Sequence, residues 1–212
     1  MTSNAEHKDI PTLSGLVLAG GKSVRMGQDK GNINWHGKEQ RYYMADLLEQ
    51  YLLDVRISCR ADQVNDMNVA YKMLPDEPKY TGMGPYGGIL TAFTANPNNA
   101  WLVVACDLPL VDDNTLQYLI ANRDTEAIAT TFESPMDGHP EPLITIWEPG
   151  SLPLLLEFAA EGFKCPRKVL MRYADQVKLL KAQDPYALMN ANTPEDLATI
   201  QEIVQQRDLR GE

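Results

Sequence analysis

Leu16-Val17-Leu18-Ala19-Gly20-Gly21-Lys22-Ser23-Val24-Arg25-Met26-Gly27-Gln28-Asp29-Lys30 is the stretch on which the fold turns. A short apolar run ends in two adjacent glycines, as a buried strand running into a turn does. Three cationic side chains follow, Lys22, Arg25 and Lys30, with Gly27 among them. Glycines let the backbone approach a ligand and turn successive N–H groups into one concavity. Cations at this density suit a polyphosphate. Two familiar phosphate loops are excluded by spacing. A P-loop needs a glycine five positions before that of Gly21-Lys22-Ser23, where Leu16 stands and Gly15 is one residue out. Nor does Gly20-Gly21 supply the glycine register of a dinucleotide fingerprint.

Outward from this loop, short apolar runs alternate with helical patterns, the mark of βαβ units and a mainly parallel sheet. Strands are expected at Leu16–Ala19, Val55–Cys59, Tyr71–Leu74, Trp101–Ala105, Ala127–Thr131, Leu143–Trp147 and Val177–Leu180. Helices are expected at Gln40–Leu53, Gly87–Ala95, Asp113–Ala121, Ser151–Ala160, Arg167–Tyr173 and Thr193–Gln205. The last opens on Thr193-Pro194-Glu195-Asp196: a threonine cap, a proline at the first helical position and acids in the first turn. Residues 1–13 read as a disordered tail and 14–212 as one domain.

Composition narrows the partners. The chain has 212 residues and a net charge of −10, which argues against nucleic acid. Yet Gly20 to Ala45 holds Lys22, Arg25, Lys30, Lys38 and Arg41 against only Asp29 and Glu39. Positive charge gathers where the glycines are, which fits a small polyanion. No apolar run reaches the roughly 18 residues of a membrane span. Three dispersed cysteines (Cys59, Cys106, Cys165) suit a reducing cytoplasm rather than a disulfide framework or a zinc site.

Five further constellations stand out. The expected buried strand Trp101–Ala105 ends in Cys106-Asp107-Leu108-Pro109, placing a carboxylate where open α/β sheets bind ligands. Asp107 suits Mg²⁺, a hard cation that keeps phosphate oxygens in its shell; a plain turn aspartate is the alternative. Gly82-Met83-Gly84-Pro85-Tyr86-Gly87-Gly88-Ile89 is a second glycine cluster opening a helix, with Asp76 just upstream. His139 sits in the Pro-rich stretch Gly138-His139-Pro140-Glu141-Pro142-Leu143, read as a stiffened loop. Asn190-Ala191-Asn192 precedes the last helix, where either asparagine serves a ligand or only a turn. Lys164, Arg167, Lys168 and Arg172 recur at helical spacing, as a solvated face or as a cationic patch for a substrate phosphate or protein partner. Trp35, Trp101 and Trp147 read as packing residues.

Together, Leu-Ala-Gly-Gly-x-x-x-Arg-Met-Gly-x-x-Lys, Ala-Cys-Asp-x-Pro, the Gly84-Pro85 cluster and Asn-x-Asn-Thr-Pro resemble, in order, the molybdenum cofactor guanylyltransferases, a MobA-like nucleotidyltransferase family. The resemblance implies a Rossmann-like, three-layer α/β domain of the nucleotide-diphospho-sugar transferase type with a mixed, mainly parallel sheet. It implies transfer of GMP from GTP to the terminal phosphate of molybdopterin. The nucleotide site would comprise Leu18, Ala19, Gly20, Gly21, Lys30, Asp76, Gly84, Pro85 and Asp107. Arg25, Lys30 and Asp107 would carry catalysis, with Mg²⁺ on Asp107. His139 would lie where the pterin substrate docks, and Asn190 or Asn192 would face the metal or that second substrate. Cofactor-carrier proteins or recipient molybdoenzymes would be partners. Tyr86 and Gly87 depart from the family's Gly-Pro-Leu-Ala-Gly-Ile, and Tyr86 is expected to narrow or stack against the nucleotide pocket. A sister transferase using CTP or a sugar phosphate, or a GTP-binding module without catalysis, are the rival readings.

Overall fold

Four buried residues in β4, Trp101 to Val104, alternate between two faces of one sheet, and this alternation organises the chain. The computed structural model describes residues 9–20 and 30–210. Its strands are β1 (Leu13–Leu18), β2 (Val55–Cys59), β3 (Met73–Pro75), β4 (Ala100–Ala105), β5 (Ala129–Glu133), β6 (Pro140–Trp147) and β7 (Val177–Lys181). Its helices are α1 (Gln40–Glu49), α2 (Pro85–Ala95), α3 (Asp113–Ala121), α4 (Leu152–Ala160), α5 (Pro166–Arg172) and α6 (Pro194–Arg210). Among the described residues the strands form one seven-stranded sheet in the order β3-β2-β1-β4-β6-β5-β7. Only β6 runs against the others, pairing antiparallel with β4 and β5. The sheet is therefore mixed and mainly parallel, as the alternation of strand and helix patterns predicts.

Because successive strand residues point to opposite faces, β1 and β4 feed two cores. Val17, Leu102 and Val104 join Leu48, Ile57 and Leu116 on the α1/α3 face. Leu16, Leu18, Trp101 and Val103 join Phe93, Trp147 and Phe158 on the α2/α4/α5 face. Helix–sheet–helix is the three-layer arrangement expected. Trp101 and Trp147 are register partners and fully buried, so both are packing residues. A third cluster (Leu110, Ala191, Ile200, Val204) seats α6, with Trp35 against it.

Most boundaries shift by a few residues from the sequence reading, α1 among them, which ends at Glu49 rather than Leu53; three of the shifts bear on the sheet. β1 starts at Leu13, the last residue assigned to the tail, because Leu13 pairs with Ala100 in register. The buried Ser14 masks the strand pattern; its Oγ accepts from Asn99 Nδ2 at 2.9 Å. β5 lies two residues later than expected, and β6 begins at Pro140 rather than Leu143. The stretch read as a Pro-rich loop is strand from Pro140 onward. Its prolines, which cannot donate to a ladder, lie opposite a register shift between Thr131 and Glu133. There Glu141 O accepts the hydroxyls of Thr131 at 2.5 Å and Thr145 at 2.6 Å.

Candidate active site

Strand order reverses at β1, whose neighbours are β2 on one side and β4 on the other. In open α/β sheets the crevice outside the carboxyl ends at such a point binds ligands. Here the chain closes that edge with backbone hydrogen bonds. Cys106 N donates to Leu18 O at 3.2 Å and Ala19 N to Ser58 O at 3.1 Å. Leu18, Ala19 and Gly20 therefore leave the sheet between the end of β2 and the Cys106-Asp107 turn. The rest of the glycine-rich loop, Gly21 with Arg25 among it, lies outside the described residues, as does the Lys30 side chain. The Lys30 backbone opens a short 3₁₀ turn over Lys30–Asn32.

Asp107 lies two residues past the end of β4 and is partly buried. Its backbone carbonyl accepts from Ala191 N at 2.9 Å, which brings Asn190-Ala191-Asn192 to the same edge. Asn192 is also part of a helix cap. Its N–H and that of Thr193 donate to Asp196 Oδ2 at 3.1 and 2.8 Å, while Asp196 N donates to Thr193 Oγ1 at 3.1 Å. This reciprocal cap is the expected start signal.

Asp76 follows β3 and is fixed by its N–H on Cys59 O at 2.9 Å. Its Oδ1 accepts from Ser58 Oγ at 3.4 Å. Burial pushes the Asp76 carboxyl up, and the Ser58 hydroxyl and the charge of Arg60 oppose that rise. Arg60 also donates from Nη1 to Gly20 O at 3.1 Å while Nε holds Asp62. Arg60 and Ser58 were not singled out from sequence. The available signal was their position, one step beyond and one step inside the end of a strand neighbouring the glycine loop. Cys59 between them is buried, and burial first, with the Asp76 charge second, pushes its thiol up to about 11.

The second glycine cluster serves conformation and packing. Gly84 caps α2 with φ +59° and ψ −141°, a conformation open essentially to glycine, and Pro85 takes the first helical position. A Cβ on Gly88 would lie 2.6 Å from Ser58 Oγ and 2.8 Å from Leu18 Cδ2. The start of α2 is thus pressed onto the ends of β1 and β2, and farther along the helix Thr91 Oγ1 accepts from the N–H of Glu77, the residue after Asp76, at 3.1 Å. Tyr86 does not narrow this pocket. It is fully buried between α2 and α4, donating its hydroxyl to Leu155 O at 2.6 Å, and burial drives its acidity down.

His139 is exposed in the turn joining β5 to β6, on the far side of β4 from the glycine loop. Its N–H donates to Asp137 Oδ1 at 3.0 Å and its carbonyl accepts from Ser134 N at 2.8 Å. The basic residues divide. Arg167 pairs with Asp137 at 2.9 Å and Glu141 at 3.2 Å, anchoring this turn to α5. Arg172 instead pairs with Glu161 and lies 3.8 Å over the Phe158 ring.

Residues 15–177 match the family model described as the MobA-like NTP transferase domain. The chain belongs to this family, a family of nucleotidyltransferases. It is 31% identical to a molybdenum cofactor guanylyltransferase of Pseudomonas fluorescens, covering 94% of this chain and 97% of that protein. It is 37% identical to a molybdenum cofactor biosynthesis bifunctional protein of Synechocystis over 89% of this chain, but spans only 53% of that protein's length. Among solved structures it resembles the molybdopterin-guanine dinucleotide biosynthesis protein A of Archaeoglobus fulgidus (TM-score 0.71, 21% identity, 91% of this chain and 99% of that one). It also resembles a putative glucose-1-phosphate thymidylyltransferase of Bacillus anthracis (TM-score 0.74, 11% identity, 92% and 96% covered). At these identities the solved structures establish the shared fold.

Proposed function

We propose that this protein transfers GMP from GTP to the terminal phosphate of molybdopterin carrying its metal, releasing pyrophosphate. The observation that carries the reading is the convergence on one sheet edge of the Leu18–Gly20 exit, the Asp107 carboxylate and the Asn190–Asn192 segment. The names of the relatives supply the substrates.

The chemistry needs no protein nucleophile. An oxygen of the acceptor phosphate, already largely ionised near neutral pH, attacks the α-phosphorus of GTP. The bond from that phosphorus to the bridging oxygen breaks, and its electron pair leaves with pyrophosphate. The obstacle is bringing anions together: two unit charges ~4 Å apart repel by ~4 kcal/mol at an effective dielectric of 20. Gly20 and Gly21 offer backbone N–H groups, Arg25 offsets charge on the leaving phosphates and Lys30 on the α-phosphate. Asp76 with Gly84 and Pro85 lines the nucleoside side. His139, Asn190 and Asn192 are assigned to the acceptor.

Among the described residues there is no group of three or more His, Cys, Asp and Glu side chains able to cage a metal. One carboxylate beside a phosphate loop is the donor set Mg²⁺ accepts, because it completes its shell with phosphate oxygens and water. Asp107 would hold it, and bound there it would supply charge neutralisation to the phosphates. Among the described residues no helix is long and apolar enough to cross a membrane. A cytoplasmic site of action and exchange with carrier or recipient molybdoproteins complete the proposal.

Thermal shift with Mg²⁺ and each of GTP, CTP, ATP and UTP tests it. Ligand at ~100 times its dissociation constant adds about 2.7 kcal/mol, or roughly 5–10 °C in a domain of this size. A Mg²⁺-dependent shift with GTP alone is expected. A shift with CTP instead would transfer the chain to a sister activity, and none with any nucleotide would sink the reading.

A further inference from the structure

Gly20 and Gly21 are adjacent in the sequence. The peptide unit between two glycines is the kind a chain flips most readily, since neither residue carries a Cβ to bar positive φ. A flip exchanges what the unit presents on each side, because the C=O and N–H of a trans peptide point in opposite directions. Beside a polyanion the two orientations differ in sign: a donor turned to the phosphates attracts them, and a carbonyl oxygen repels them. The carbonyl half of this unit is held by one side chain. Arg60 Nη1 donates to Gly20 O at 3.1 Å, a charge-assisted bond and so one of the stronger kind.

Arg60 is itself fixed before any ligand arrives. Its Nε donates to Asp62 Oδ1 at 3.0 Å and its Nη2 to Asp62 Oδ2 at 3.3 Å, a two-pronged pairing that sets the guanidinium plane and leaves Nη1 to Gly20. Its backbone is tied down as well, at the start of a 3₁₀ turn over Ala61–Asp66. The Arg60 N–H donates to Gln63 Oε1 at 2.9 Å, and Arg60 O accepts from Gln63 N at 3.0 Å. Main chain supports the same glycine. A Cβ built on Gly20 would lie 3.5 Å from Arg60 N and from the Cys59 carbonyl carbon, so Gly20 lies against the end of β2 in ordinary contact. The Arg60 charge also opposes the rise that burial gives the Asp76 carboxyl. Resting on the guanylyl-transfer reading above, we propose that Arg60 is a positioning residue: it locks the peptide unit leaving Gly20 with the carbonyl turned to Arg60 and the donor side kept for the GTP phosphates. With each of its three nitrogens already donating, Arg60 acts through that peptide and not as a phosphate ligand.

The test is calorimetric titration of the full chain with GTP and Mg²⁺, followed by steady-state kinetics. Arg60→Gln removes both the charge and the fork; Arg60→Lys keeps the charge but cannot make the fork. Both variants are expected to bind GTP about tenfold or more weakly, the size of a lost charge-assisted hydrogen bond. KM for GTP should rise with it, while KM for the molybdopterin acceptor stays at the wild-type value. The nucleotide-free thermal midpoint should remain within about 3 °C of wild type, as for a partly exposed side chain at a turn. Four results would each overturn the inference and leave the transferase reading standing: wild-type GTP affinity in Arg60→Gln, rescue by Arg60→Lys, an equal rise in both KM values, or a nucleotide-free midpoint far below wild type in both variants. A wild-type protein that does not bind GTP removes that reading, and the inference with it.

Discussion

The Ala191 N–H and the Asp107 carbonyl, 2.9 Å apart, join two segments 84 residues distant in sequence. The bond brings the segment that has an asparagine on either side of Ala191 to the backbone of Asp107, whose carboxylate is proposed to hold Mg²⁺. Asn190→Ala or Asn192→Ala is therefore expected to raise KM for the pterin acceptor about tenfold with KM for GTP unchanged. Steady-state kinetics varying each substrate in turn checks this; equal effects on both KM values would remove the asparagines from the acceptor side.

Gly88 is set by contact rather than by backbone angle. A methyl group there meets Ser58 Oγ at 2.6 Å and Leu18 Cδ2 at 2.8 Å, closer than real contacts allow. Gly88→Ala should destabilise by about 1–3 kcal/mol as an overpacked position. It should also raise KM for GTP, because Ser58 holds Asp76. Urea unfolding and kinetics on the same preparation test both.

The Asp76 carboxyl has a raised pKa in the fold, caused first by burial and opposed by Ser58 and Arg60. The sign follows from linkage. The folded state holds this proton more tightly than the unfolded chain, so stability falls as pH rises from the ordinary carboxylate range through the folded value. Asp76→Asn should thus be more stable than wild type at pH 7. That gain should vanish once the pH falls below the ordinary carboxylate range. Unfolding at both pH values measures it, and an equal gain at the two would contradict the burial account.

Tyr86 acts through the core. Tyr86→Phe leaves the Leu155 carbonyl without the hydroxyl it accepts at 2.6 Å. A cost of about 1–3 kcal/mol is expected from the buried acceptor, with the GTP-induced thermal shift unchanged. A weakened GTP response at full stability would return Tyr86 to the nucleotide pocket.

Much of the candidate site was legible because its chemistry is local. Gly20, Gly84 and the caps of α2 and α6 obey rules of a few residues' range, and the glycine loop announces a polyanion by composition alone. Asp107 was visible as an acid closing an apolar strand. The β5–β6 hairpin was not, because Pro140 and Pro142 read as loop until a ladder irregularity and two threonine hydroxyls accommodate them. Tyr86 was misplaced because helix phase relative to the sheet depends on how tightly Gly87 and Gly88 let α2 approach. The sequence by itself determined the class of fold and the kind of ligand, since period, turn chemistry and clustered charge are properties of neighbouring residues. Only the tertiary structure decided that Arg60 reaches Gly20 and that Ala191 binds Asp107. Such contacts are set by strand order and by helices docking on two cores, which no local pattern encodes.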